Sequence, residues 1–200
     1  ALDNDPDKDV RSFAISPDSQ LVVYTGDRLV DMQFDLFSVS IDGGTNYRLN
    51  NGMTDTGNVI MYSIAPNSAG VVFISDYYVD SKDELFVVLM DGSLRLRLNA
   101  ELPTGGDVKY FRISNDSAVV VYLSDQEVDE IINLYVVSSI GGLPLRLNPD
   151  LIKEGDVTYN YELTLDSKGV VYLADQELNE VIELFITYDF QKLYLPMVTK

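Results

Sequence analysis

The sequence predicts an all-β chain, a four-bladed β-propeller made of four four-stranded repeats of about 49 residues. Three observations predict it. Arg48-Leu49-Asn50, Arg97-Leu98-Asn99 and Arg146-Leu147-Asn148 recur at a spacing of 49. Leu36-Phe37, Leu85-Phe86 and Leu134-Tyr135 keep the same step, and Leu184-Phe185 follows one residue late. Two further columns run through the chain: Tyr24, Phe73, Tyr122 and Tyr172, then Ile15, Ile64, Ile113 and Leu163. The units, about 1–49, 50–98, 99–147 and 148–200, fill a single expected domain of 200 residues.

Each unit reads as four strands. The first is DVRSFAIS, with counterparts NVIMYSIA, DVKYFRIS and DVTYNYELT. The extra residue of the last unit falls near Tyr159-Asn160-Tyr161. A turn follows, at Pro17-Asp18-Ser19, Pro66-Asn67-Ser68, Asn115-Asp116-Ser117 and Asp166-Ser167. Short polar side chains bond the local backbone there, and proline presets φ. The second strand is a β-branched run such as VVVYL, which implies burial on both faces. An acidic hairpin leads to the third strand, LFSVSI or its equivalent. A glycine turn then leads to a short fourth strand ending in Arg-Leu-Asn. The last unit departs here, with Asp189-Phe190-Gln191-Lys192 and then LYLPMV. EVDEIINLY has a helical look, but its counterpart DYYVDSKDELF does not, and the repeat decides for strand–turn–strand.

Composition narrows the function. Acidic residues number 32 against 14 basic, for a net charge of −18. Such a surface repels phosphate backbones and anionic lipid, which argues against nucleic acid and inner-leaflet partners. The chain has no cysteine and no histidine, so thiol chemistry, imidazole bases and the usual zinc sites are absent. No apolar run approaches the roughly 20 residues of a membrane helix, so no membrane insertion is expected. No signal peptide is evident at Ala1, which fits a mature form or an excised piece.

ISPDSQLVVYTGD, the hairpin, and LFSVSIDGGTNYRLN together resemble the PD40/WD40-like repeat of TolB-type β-propellers. The resemblance covers all four units. It implies a propeller fold, and it implies little about function, because such blades serve periplasmic adaptors, peptidase lids and lyases. The family ordinarily carries six or more blades. Three closures follow: a four-bladed ring, two chains in an eight-bladed ring, or a piece of a longer propeller. The fit of the units to the chain favours the closed four-bladed monomer.

The hairpin acids obey the repeat. Asp27, Asp76, Asp125 and Asp175 form one column. Four residues on stand Asp31, Asp80, Asp129 and Asn179, and four further stand Asp35, Glu84, Asn133 and Glu183. A turn at the middle column would set the outer two opposite one another, an unfavourable pairing of like charge. Two readings are open. Calcium takes six to eight oxygen ligands, and Asp76, Asp80 and Glu84 form the best candidate site. Alternatively the first Asp bonds the turn backbone while the others face water. Apart from calcium in the first reading, no cofactor is expected.

Paired carboxylates also serve glycosidases. An active site should break the repeat, however, and these acids recur in every blade, so no catalytic residue is assigned. The expectation is a non-enzymatic, extracellular or cell-surface structural propeller that binds protein, including copies of itself, as an oligomer or filament subunit. The alternative is a periplasmic or secreted binding module for a protein, peptide or glycan. Apolar residues at the hairpin tips (Leu29, Met32, Phe34, Tyr77, Tyr78, Ile131, Ile132, Val181, Ile182) are candidate contacts, as are both chain ends. Asn115-Asp116-Ser117 is an Asn-x-Ser sequon, which makes Asn115 the candidate glycosylation site.

Overall fold

The computed structural model describes residues 9–52, 57–178 and 180–190. The strands follow the repeat. Blade 1 holds β1 (Val10–Ile15), β2 (Leu21–Gly26), β3 (Asp35–Ser40) and β4 (Tyr47–Arg48). Blade 2 holds β5 (Val59–Ile64), β6 (Gly70–Ser75), β7 (Glu84–Leu89) and β8 (Arg95–Arg97). Blade 3 holds β9 (Val108–Ile113), β10 (Val119–Ser124), β11 (Asn133–Ser138) and β12 (Leu145–Arg146). Blade 4 holds β13 (Val157–Leu163), β14 (Gly169–Ala174) and β15 (Glu183–Tyr188). Each sheet is antiparallel and runs in chain order, the arrangement of a propeller blade. The expected last strand at 193–198, residues 1–8 of the N-terminal segment and Asn179 lie outside the described residues.

The chain divides into two compact units, Ala1–Leu98 and Asn99–Lys200, each with two blades. The β-branched second strands are buried on both faces, fully so in β6 and β10. Successive strand residues point to opposite faces, so such a strand needs an apolar partner on each side. In the first unit Val23, Leu36 and Leu49 of blade 1 share one cluster with Val59, Val71 and Phe73 of blade 2. In the second unit Val121, Leu134 and Leu147 of blade 3 pack with Val157, Tyr161, Val170 and Tyr172 of blade 4. Each such side chain contributes about 1.5–3 kcal/mol by leaving water.

The aromatic column has a local partner in every blade. Tyr24–Phe37, Phe73–Phe86, Tyr122–Tyr135 and Tyr172–Phe185 stack at 5.3, 5.3, 5.4 and 5.5 Å between centroids. These are cross-strand pairs on the second and third strands. The extra residue of the fourth repeat is taken up where the β13–β14 register shifts between Val157 and Tyr161.

The first turn of each blade follows the sequence closely. The Ser16, Ser114 and Thr164 hydroxyls each donate to the Asp two residues on, at 2.6 Å. The same hydroxyl oxygens accept the amides of Leu21, Val119 and Gly169. Ser19, Ser68, Ser117 and Ser167 all sit at φ of 60–61°. The turns also join neighbours within a unit. The Asp18 amide donates to Ser68 Oγ at 3.1 Å, and the Asp116 amide to Ser167 Oγ at 3.2 Å.

In the first and last blades the turn hydroxyl lowers the pKa of the carboxyl it contacts. The Thr164 hydroxyl, then that of Tyr188, holds the Asp166 carboxyl down at about 2. Ser16 and then the Gln20 amide lower that of Asp18. A depressed carboxyl stabilises the fold in full above its unfolded value of about 4 and loses that contribution as pH falls through the folded value. Melting temperature is therefore expected to fall between about pH 4 and pH 2. Asp166→Asn should flatten that dependence in thermal melts followed by circular dichroism; an unchanged slope would remove Asp166 from the acid response.

Candidate functional site

The second-to-third-strand hairpins carry the acidic columns, and every blade shares two features of their backbone. An amide–carbonyl bond closes each turn: Gln33 to Val30, Lys82 to Val79, Ile131 to Val128 and Val181 to Leu178, all at 3.1 Å. The residue before the donor lies in the left-handed region, Met32 at φ 64°, Ser81 at 61°, Glu130 at 65° and Glu180 at 58°. None of these is glycine, so the turn geometry is imposed by its surroundings.

The first acidic column supplies part of that constraint. Asp27, Asp76, Asp125 and Asp175 each accept, through Oδ1, the amide of the residue preceding the blade's first strand. The donors are Asp9 (2.7 Å), Asn58 (2.5 Å), Asp107 (2.5 Å) and Asp156 (2.5 Å). In blades 1 and 3 the other oxygen accepts a turn amide, Met32 to Asp27 at 3.3 Å and Glu130 to Asp125 at 3.4 Å. One carboxylate thus ties the hairpin to the start of the sheet.

The outer columns do not face one another, contrary to the sequence expectation. Gly26 pairs with Asp35, Ser75 with Glu84, Ser124 with Asn133 and Ala174 with Glu183. The ladder ends one residue before the first Asp, which turns away toward the first strand, so like charges are not set opposite.

The third column meets the Arg-Leu-Asn motif instead. Arg48 donates to Asp35 at 2.7 Å and Arg97 to Glu84 at 2.9 Å. Leu49, Leu98 and Leu147 are buried, and their amides donate to the carbonyls of Leu36, Leu85 and Leu134, each at 2.8 Å. Asn50 accepts the Leu36 amide and donates to Asp35; Asn148 accepts the Leu134 amide and donates to Asn133. Blade 3 has lost the acid, and Arg146 turns to Glu127 (2.9 Å) and to Asp150.

Neighbouring blades are joined at the same end. Within the first unit the Phe34 amide donates to Asn58 Oδ1 (2.9 Å), and the Val59 amide donates back to the Phe34 carbonyl (2.9 Å). The second unit repeats this with Ile132 to Asp156 (2.7 Å) and Val157 to Ile132 (2.9 Å). Burial pushes the Asp156 carboxyl up, opposed by the Ile132 bond and reinforced by Asp175 and Asp125.

Comparison with known proteins places this architecture. No protein-family model and no curated protein matches the sequence. Solved structures do. A TolB-type protein from Agrobacterium tumefaciens is 13% identical with a TM-score of 0.58, over 90% of this chain and 61% of that one. The fold is that of the TolB-type β-propellers. Oligogalacturonate lyase from Vibrio parahaemolyticus is 14% identical, TM-score 0.54, over 84% of this chain and 46% of that one. A Mycobacterium tuberculosis puromycin-hydrolysing peptidase is 16% identical, TM-score 0.61, over 94% and 30%. The chain thus spans less than two thirds of each of these proteins. The TolB-type fold occurs in enzymes and in TolB itself, so it does not decide whether this chain catalyses a reaction.

On that frame the predicted site residues fall in separate places. Asp76 is buried and holds the Asn58 amide, Asp80 is exposed at the tip, and Glu84 is buried against Arg97. Among the described residues, no group of three or more Asp or Glu side chains is arranged to hold a metal ion. Asn115 is exposed on its turn and donates to the Leu165 carbonyl at 3.3 Å, while Ser117, two residues on, is buried. Of the apolar tip residues, Tyr77 folds back, buried against Phe86, whereas Leu29, Met32, Tyr78, Val181 and Ile182 are exposed. Sequence reasoning missed a further exposed set, Val30, Val79, Val128 and Leu178, one per hairpin at the same turn position. The repeat alignment carries this column, but each residue reads by itself as part of an apolar run.

The Arg-Leu-Asn motif gives a stability test. Asn148→Ala removes the acceptor of the buried Leu134 amide and the donor to Asn133, and is expected to cost about 2–4 kcal/mol in urea melts. Asp35→Asn reproduces the arrangement of blade 3 and should cost less than Asn148→Ala. The reverse order would show that charge, rather than the asparagine, holds the third strand.

Proposed function

We propose that the four blades, 1–200, act as one non-enzymatic protein-binding scaffold that assembles with copies of itself outside the cytoplasm. One observation carries this reading. At every hairpin the acids at its base, buried in blades 1 to 3 and half-buried in blade 4, are engaged in holding the backbone or an arginine, while an aliphatic residue beside them is exposed at the same position. Exposed apolar residues that recur beside charge in every blade would supply contact surfaces if they combine into one patch. The recurring carboxylates have structural duties in each blade, which supports a scaffold rather than an acid–base pair. In a glycosylating host, Asn115 would be the residue to carry a glycan.

Light scattering on a sizing column, with negative-stain images, tests the scaffold. Mass above the 22.4 kDa of one chain is expected, rising with protein concentration. It should also rise with salt, which screens the −18 charge. A single species of one-chain mass at every concentration would remove the self-assembling reading.

Asp76, Asp80 and Glu84 serve the hairpin rather than calcium in this proposal. Melting temperature is expected to be the same with millimolar calcium and with chelator. A rise with calcium that Asp80→Asn abolishes would reinstate the metal site.

The binding-module reading has one observation in its favour. A groove of about 410 Å³ in the first unit is lined by Arg11, Ser12, Thr25, Met61 and Tyr62. It joins an arginine and several hydroxyls to an apolar floor, features of a small ligand site.

A further inference from the structure

Two sheet faces lack the cover that their counterparts have. On blade 1, Val10, Phe13 and Ile15 of β1 are 47%, 72% and 53% exposed. The equivalent Val59, Val108 and Val157 are 2%, 1% and 0% exposed, and Phe111 and Tyr161 are 1% and 2%. On blade 4, Leu184 and Ile186 of β15 are 71% and 63% exposed, whereas Leu36, Leu85 and Leu134 are each 0%.

The joints inside each unit show what such faces accept. The third-strand face of blade 1 receives the first- and second-strand face of blade 2, and blade 3 receives blade 4 in the same way. A polar pair accompanies each joint. The residue before the third strand donates its amide to the Asx side chain before the next blade's first strand. The following residue's amide returns to the first one's carbonyl. On the two open faces these places are held by Ile182 on blade 4 and by Asp9 and Val10 on blade 1. Acceptor, donor and apolar surface are therefore all present.

Resting on the self-assembling scaffold, we propose that a second copy of this chain covers both faces. The β15 face of one copy seats on the β1 face of the next and forms one more blade-to-blade joint. Leu184 and Ile186 pack on Val10, Phe13 and Ile15. The Ile182 amide donates to the Asp9 carboxylate, and the Val10 amide to the Ile182 carbonyl. The occupant follows from the repeat, because the surface that fits each face within a unit is the equivalent of the other face. The contact is head-to-tail, so it makes a closed ring if its rotation closes and a filament if it does not.

Two variants test the joint, Phe13→Asp and Leu184→Asp, with Ile15→Asp and Ile186→Asp as a second pair. All four positions are exposed, so wild-type circular dichroism and melting temperature are expected. A buried carboxylate in the joint should weaken assembly by at least about a hundred-fold. Each variant alone should then run as a monomer. Mixed together, Phe13→Asp and Leu184→Asp copies still share one intact pair of faces and should form a dimer that grows no further. Assembly of either variant alone at wild-type strength, or a mixture that stays monomeric, overturns this interface. If the wild type assembles in those cases, the self-assembling reading survives without it. A wild type that never assembles overturns both.

Discussion

A sheet whose middle strand is apolar on both faces cannot stand alone. This constraint governs the molecule. Val120 and Val121 are adjacent on β10 and point to opposite sides, yet both are fully buried. Such a strand calls for apolar cover on each side, and a repeat encodes surfaces that fit one another, as the two blades within each unit do. The serine turns and the amide-to-Asx joints tie the two blades of each unit together, while the four stacked aromatic pairs join second to third strand inside each blade.

The acidic character looks different once its geometry is known. Much of the charge in the hairpins is structural, with Asp27, Asp76 and Asp125 buried against backbone amides and Asp35 and Glu84 against arginine. Amides aimed at a carboxylate offset the cost of removing it from water, which explains how so many acids are accommodated beside a dense apolar core. The middle column, Asp31, Asp80 and Asp129, is exposed and supplies part of the net charge that keeps such a surface in solution.

Much of the fold was legible in the sequence because its signals are local and repeated. Strand positions, the proline–aspartate–serine turns, the short strand before Arg-Leu-Asn and the two-sided burial of VVVYL all follow from pattern. The hairpin was less legible. Its eight-residue loop hides where the ladder ends, so Asp35 was set opposite Asp27 when it pairs with Gly26. The role of Asn50 and Asn148 was also out of reach, because their partners at Leu36 and Leu134 are 14 residues away and the bond is made through the backbone. Exposure of the Val30 column depends on how the turn projects from the sheet, which composition does not encode.

The left-handed residues at the hairpin tips bear on how the chain reaches its native state. A non-glycine residue at φ near +60° costs on the order of 1–2 kcal/mol. A turn that bears this cost is a poor starting point for folding, unlike an Asn-Gly hairpin that forms readily on its own. In blades 1 and 3 the compensating bond comes from an aspartate that also holds the first strand, 18 residues upstream. The hairpin therefore gains little by closing before the rest of its sheet. Order in each repeat should arrive late and all at once, which limits the time that partly formed, apolar edges spend in contact with other nascent chains.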